Sequence, residues 1–323
     1  MFLKDSKFRV FCILLVAVLL LQASVFAAET KPQNEWFVGV VLASLRHPFW
    51  ANCEQACVDA GKKYGFKVEV LGGDDDAIKQ VAQVEDFITK GVDMILLTPV
   101  VQGALVSTVN KVNGAGIPVM ILNRHLGEGA HTICYVGADD YEGGKKQAEL
   151  IAEAIGEQGN IILLQGTLGS SPQVDRQKGL EDSLSANYPN VKIVDKLPCD
   201  FDKSKAINTV QDLLVKYSTK GEIDGIISQC SEMAMGAAQV LEKMNRTEIK
   251  IVAFDNPSYV KEAIAQGSIF GTVLQDPYLQ SIIAMDTVWL YLSGNGDHIP
   301  KPLYFTPLVK ITKNNVNESP TAW

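Results

Sequence analysis

From residue 36 onward, short continuous runs of β-branched and aliphatic residues alternate with amphipathic stretches, and this plan occurs twice along the chain. The runs cover 37–43, 67–71, 94–98 and 119–122, then 161–165, 191–197, 225–228 and 249–254, with a further run at 269–274. Apolarity that is continuous rather than alternating means that both faces of each strand are covered. Strands separated by helices build βαβ units on a parallel sheet. The intervening segments carry 3.6-residue stripes, Phe49, Cys53, Ala56, Ala60 and Tyr64 in one and Ala206, Val210, Leu213 and Tyr217 in another, which read as core-facing helix sides. Pro48 suits a helix start, and Gly61, Gly65 and Gly91 punctuate helix ends. The expectation is an α/β chain of two doubly wound parallel-sheet lobes, a division that 323 residues accommodate.

In each half the fourth strand runs into polar residues, Asn123-Arg124 in the first and Asp255-Asn256 in the second. Open α/β sheets bind ligands at the carboxyl ends of their strands. Two facing lobes that both present polar groups there define a cleft suited to a small polar ligand.

The N-terminus has the form of an export signal: Lys4, Lys7 and Arg9, an apolar run from Val10 to Leu21, and small residues before a cleavage point after Ala27. A run of about 12 residues is too short to span a bilayer, which needs about 20. The formal net charge of −8 becomes more negative when residues 1–27 are removed, which argues against a nucleic-acid partner. Beyond Cys12, which falls in the signal, five cysteines remain: Cys53, Cys57, Cys134, Cys199 and Cys230. An odd number does not describe a disulfide framework, and Cys53 and Cys57, four apart on one helix, read as buried thiols.

Enzyme signatures are thin. His47, His125, His131 and His298 are scattered without metal-ligand spacing, so neither a metal nor a cofactor is expected. The glycine loop Gly166-Thr-Leu-Gly169 lacks a dinucleotide fingerprint or a P-loop lysine and reads as an ordinary βα turn. Asp74-Asp75-Asp76 enters a helix, where carboxylates favour the dipole. A secreted α/β enzyme would need a paired acid and base, and the sequence nominates none. What remains is a set of aromatic and hydrogen-bonding residues at strand ends. Such residues suit sugars, which offer C–H faces to rings and hydroxyls to planar polar groups.

Five segments in order, 42–50, 117–124, 200–202, 231–237 and 271–277, together resemble the ribose-binding-protein branch of type I periplasmic sugar-binding proteins. The resemblance implies two lobes joined by a three-segment hinge near 138, 275 and 304. The first lobe would comprise 28–138 plus 276–304, and the second 139–275 plus 305–323. It implies a monomeric, periplasmic or otherwise exported binding protein that delivers a monosaccharide, polyol or sugar acid to an ABC transporter permease. A chemoreceptor or sensor kinase is the alternative membrane partner. A transcription regulator of the wider family would carry a DNA-binding helix pair where this chain has its signal.

The ligand contacts implied are Ser44, His47, Phe49, Trp50, Asn123, Arg124, Ala138, Arg176, Phe201, Cys230, Asp255 and Gln275, with Phe49, Trp50 and Phe201 stacking. The chain departs from the ribose pattern at His47 and Cys230, where Asn is usual, and at Asn123, where Asp is usual, so ribose itself is not the expected ligand. Arg124 and Arg176 set against Asp255 alone make an anionic sugar derivative a second expectation behind neutral sugars and polyols. The polar tail after Ile311 has the composition of a loose end.

Overall fold

The structure, a computed structural model, describes residues 31–299, 303–321 and 323. The export signal expected over 1–27, with Cys12 and the cleavage point, lies outside the described residues.

The first sheet takes strands β1 (Phe37–Leu42), β2 (Lys67–Gly72), β3 (Met94–Leu97), β4 (Val119–Leu122), β5 (Tyr135–Ala138) and β11 (Leu303–Thr306), in the order β11-β5-β4-β3-β1-β2. The second takes β6 (Gln158–Gln165), β7 (Asn190–Pro198), β8 (Gly225–Ser228), β9 (Lys250–Phe254), β10 (Gly271–Leu274) and β12 (Val309–Thr312), in the matching order β12-β10-β9-β8-β6-β7. Helices α1 (Pro48–Tyr64), α2 (Ala77–Lys90) and α3 (Val106–Gly114) cross over in the first lobe. In the second lobe, α4 (Asp140–Ile155) leads into α5 (Ser171–Asn187), α6 (Lys203–Lys216), α7 (Ser231–Lys243) and α8 (Ser258–Gln266). Helix α9 (Pro277–Leu292) returns to pack on α1.

Each sheet buries both faces, as the continuous runs predict. In β1, Val38, Val40 and Leu42 join one core with Cys53 and Cys57, while Val41 faces the other with Phe87. Those two thiols are free and fully buried.

The chain changes sheet between β5 and α4, between β10 and α9, and between β11 and β12. The third crossover lies later than expected: Phe305 and Thr306 still pair with Gly137 and Ala138 of the first sheet, so the change falls at Pro307-Leu308 rather than near 304. The second sheet is also not wholly parallel, because β12 runs antiparallel to β10. The cause is the two-residue connection. The strands of both lobes point their carboxyl ends at the cleft, so a chain that leaves β11 and continues directly enters the second sheet from that same end.

Among the described residues after Ile311, several are hydrogen-bonded and packed rather than loose. Asn315 accepts from the Thr312 N–H at 2.9 Å and donates to the Lys310 carbonyl at 3.0 Å, Val316 is buried, and the Ser258 N–H donates to the Trp323 carbonyl at 3.0 Å. The Trp323 ring then meets Phe49 edge-on at 5.5 Å, so the tail links the second lobe to the first.

Candidate ligand-binding cleft

Between the carboxyl ends of the two sheets lies a cavity of about 460 Å3, including its open mouth. His47 and Asp75 line it from first-lobe loops, Phe49 and Trp50 from the first turn of α1, and Asn123 and Arg124 from the end of β4. Pro172, Arg176, Phe201, Cys230, Glu232 and Asp255 line it from the second lobe, with Gln275 at the second crossover. The lobes also touch across the mouth, where the Gln102 N–H donates to the Gly169 carbonyl at 3.1 Å and the His125 N–H donates to Ser171 Oγ at 2.7 Å.

The backbone is held in the left-handed region at four lining residues, Asp75 (φ 61°), Asn123 (φ 62°), Phe201 (φ 60°) and Asp255 (φ 74°). That conformation costs free energy in a non-glycine residue and persists where surrounding bonds over-determine it. At Asn123 and Asp255 the over-determination is the same in both lobes. The Asn123 N–H donates to Val136 and the Asp255 N–H to Val273, each on the next strand. The Asn123 carbonyl accepts from Tyr135 Oη and the Asp255 carbonyl from Thr272 Oγ1, again on those next strands. The reversal turns each side chain off the strand and into the cleft.

Aromatic faces approach from both lobes. Phe49 and Trp50 meet edge-on at 4.8 Å, and the Arg124 guanidinium stands 5.2 Å from the Trp50 ring and 5.2 Å from the Phe201 ring. Arg124 Nη1 donates to the Val100 carbonyl at 3.3 Å, and the buried Gln80 amide accepts from the Val100 N–H at 2.9 Å, which anchors that turn. Nε of Arg124 is buried without a partner. Burial pushes this guanidinium down to about 10, with Asp75 pulling the other way, so it stays charged at neutral pH.

Phe201 reaches the cleft because Gly166 lies under it. A Cβ at Gly166 would stand 2.0 Å from the Phe201 ring. Gly166→Ala is therefore expected to displace the ring and weaken ligand binding about tenfold, by about 1.4 kcal/mol, with little loss of secondary structure. Titration calorimetry beside circular dichroism checks this. Two amides of this glycine loop are already satisfied by glutamines: Gly166 N–H donates to Gln229 Oε1 at 2.8 Å and Gly169 N–H to Gln173 Oε1 at 3.1 Å.

Arg176 is held from three sides. Its Nε donates to Asp140 Oδ1 at 2.8 Å, its Nη1 donates to the Gln229 carbonyl at 2.6 Å, and its guanidinium carbon lies 3.6 Å from the Phe254 ring centroid. The α4–α5 crossing that brings Asp140 to Arg176 is so close that a Cβ at Gly144 would stand 2.0 Å from the Arg176 carbonyl oxygen, and one at Gly179 would stand 1.9 Å from that of Tyr141.

The cavity thus gathers ten of the twelve residues expected from sequence and leaves out two. Ser44 is fully buried, and its Oγ accepts from the Arg46 N–H at 3.4 Å. Ala138 is buried, with its carbonyl accepting from Tyr135 Oη. Asp75, Pro172 and Glu232 line the cavity without having been expected. They also overturn the charge argument. The two lining arginines are met by the lining carboxylates Asp75, Glu232 and Asp255, and Arg176 is further neutralised by Asp140. No positive excess remains to favour an anionic ligand. Of the acid run, Asp76 caps α2 and Asp74 pairs with Lys79 at 2.5 Å, while Asp75 turns to the cleft with His47 Nε2 4.0 Å away.

Residues 38–296 match the model of the periplasmic binding protein domain. The ribose import binding protein RbsB of Escherichia coli K12 is 27% identical over 92% of this chain and 97% of its own length. The xylitol-binding protein of Mycolicibacterium smegmatis is 31% identical over 75% of this chain and 67% of its own. Among solved structures, an ABC transporter solute binding protein from Bacillus halodurans C-125 with bound myo-inositol superposes with a TM-score of 0.81 at 26% identity, covering 90% of this chain and 98% of that one.

Proposed function

This chain belongs to the periplasmic binding protein family, in its ribose-binding branch of sugar-binding proteins, and from that premise we propose that it captures a neutral sugar or sugar-like polyol in the interlobe cleft and delivers it to an ABC transporter permease. The observation that carries the reading is the cleft itself: aromatic faces from opposite lobes, Trp50 and Phe201, flank a cavity whose lining is otherwise mostly polar side chains, with no excess of positive charge. Rings take the apolar faces of a sugar, while arginines, amides and carboxylates take its hydroxyls. In this reading, closure of the lobes creates the surface that a membrane partner recognises. Export through the N-terminal signal brings the chain to that partner. The relatives are named as binding proteins for ribose and xylitol, and the superposed structure holds myo-inositol, which supports a small polyhydroxylated ligand.

The test is a thermal-shift screen of the unfolded and refolded protein against pentoses, hexoses, polyols, inositols and sugar acids. A ligand at 100 times its Kd stabilises the folded state by about 2.7 kcal/mol. A shift among neutral members is the expected result. A shift confined to acids overturns the neutral assignment, and no shift from any member overturns the sugar reading.

A further inference from the structure

Gln280 lies on the first turn of α9, is fully buried and does not line the cleft, yet it joins all three hinge crossovers. Its Nε2 donates to Gln275 Oε1 at 3.1 Å, on the second crossover, and to Thr306 Oγ1 at 3.2 Å, beside the third. Thr306 Oγ1 in turn donates to the Gly137 carbonyl at 3.2 Å, beside the first. Gln280 Oε1 accepts from Asn123 Nδ2 at 2.9 Å, and Gln275 Nε2 donates to Asp255 Oδ1 at 2.7 Å. A continuous relay of side chains therefore runs from Asp255 of the second lobe, through the hinge, to Asn123 of the first.

The direction of this relay follows from chemistry. An ionised carboxylate only accepts, so Gln275 must turn its NH2 to Asp255 and its carbonyl to Gln280. Gln280 must then donate to Gln275 and turn its own carbonyl to Asn123. The far end agrees, because the Thr306 hydroxyl spends its hydrogen on Gly137 and so accepts from Gln280. Asn123 is left to donate to Gln280, which turns its Oδ1 toward the cleft that it lines.

We propose that Gln280 is a positioning residue for ligand selection: it locks the Asn123 amide with its carbonyl facing the ligand, so this position takes a hydroxyl hydrogen and rejects a group that can only accept. Through Oδ1, Asn123 then offers the ligand an acceptor at the place where an Asp would offer one, without the carboxylate's charge or second acceptor oxygen. The selection half of the inference rests on the sugar-binding function proposed above, whereas the relay does not.

The relay is tested on ligand-free protein with Gln280→Glu, nearly identical in shape. An ionised Glu still accepts from Asn123 but has no hydrogen for Gln275 or Thr306. Its melting temperature is expected to fall below wild type by about 5 °C at pH 8 and by less at pH 5, where the buried acid holds its proton. A Gln280→Glu protein that melts within about 1 °C of wild type at pH 8 overturns the relay, since a residue that merely fills space would tolerate the exchange. The selection is tested with xylitol and xylonate as probes and Gln280→Met, which frees the Asn123 amide. Wild type is expected to prefer xylitol, and the variant to narrow that preference about tenfold. An unchanged preference in a folded Gln280→Met protein overturns the assignment of selectivity. Failure of wild type to bind either probe overturns the assignment of selectivity, while the melting experiment still decides the relay and the wider sugar screen still decides the function.

Discussion

Arg176→Ala is expected to destabilise the protein by about 3–5 kcal/mol at neutral pH, the cost of stripping the partner from a buried charge. Asp140 is 3% exposed, its Oδ2 already has no partner, and Arg176 is the only cation bonded to its Oδ1 among the described residues. The variant also uncovers the Phe254 face and leaves the Gln229 carbonyl without its donor. Burial already raises the Asp140 carboxyl against the pull of Arg176, so without the arginine it rises further. The loss should therefore shrink as pH falls and Asp140 takes up a proton. Urea unfolding at pH 7.5 and pH 5 measures this. The double variant Arg176→Ala, Asp140→Asn should recover most of the stability but none of the ligand affinity, which separates the structural role of the arginine from its role in the cleft. Equal stability of the single variant and wild type would sink the argument.

Asp255 sets a second large effect, of opposite sign for stability and for binding. Burial pushes its carboxyl up to about 6, with Arg176 the main opposing influence. The folded state thus holds this proton more tightly than the unfolded chain, whose carboxyl titrates near 3.9. The stability this proton contributes is fully present below about pH 4 and is lost as pH rises through 6, a change of about 2–3 kcal/mol. Asp175, also raised to about 6, chiefly by burial, adds in the same direction. A sugar hydroxyl that donates to Asp255 favours the ionised form, so affinity should rise between pH 5 and 7 and binding should release protons. Calorimetry in buffers of different ionisation heat reads that release, and Asp255→Asn should flatten the affinity profile and cut the pH dependence of stability to the part that Asp175 supplies. Affinity that stays constant across this range would remove Asp255 from the ligand contacts.

The predicted strand positions hold at β1, β3, β4, β8 and β9 within a residue or two because each is a short apolar run bounded by turn residues, a pattern that only a doubly covered strand explains. β5 escaped the same reading: four residues, one of them glycine, carry too little pattern. β11 and β12 escaped it because two residues separate them and each joins a different sheet. In the cleft, Asn123, Arg124 and Asp255 were legible as polar residues at the ends of apolar strands. Asp75 and Glu232 were not, since one sits in an acid run that reads as helix capping and the other is one of many charged residues at helix starts.

Sequence alone determined the two α/β lobes and the polar strand ends that face one another, because burial of both faces of a strand leaves a local signature in every apolar run. Only the tertiary structure decided the charge balance of the cleft and the orientation of the Asn123 amide. Both depend on groups far apart in the chain, Asp140 beside Arg176 and Gln280 beside Asn123, whose bonds exist only once the lobes are folded and joined at the hinge.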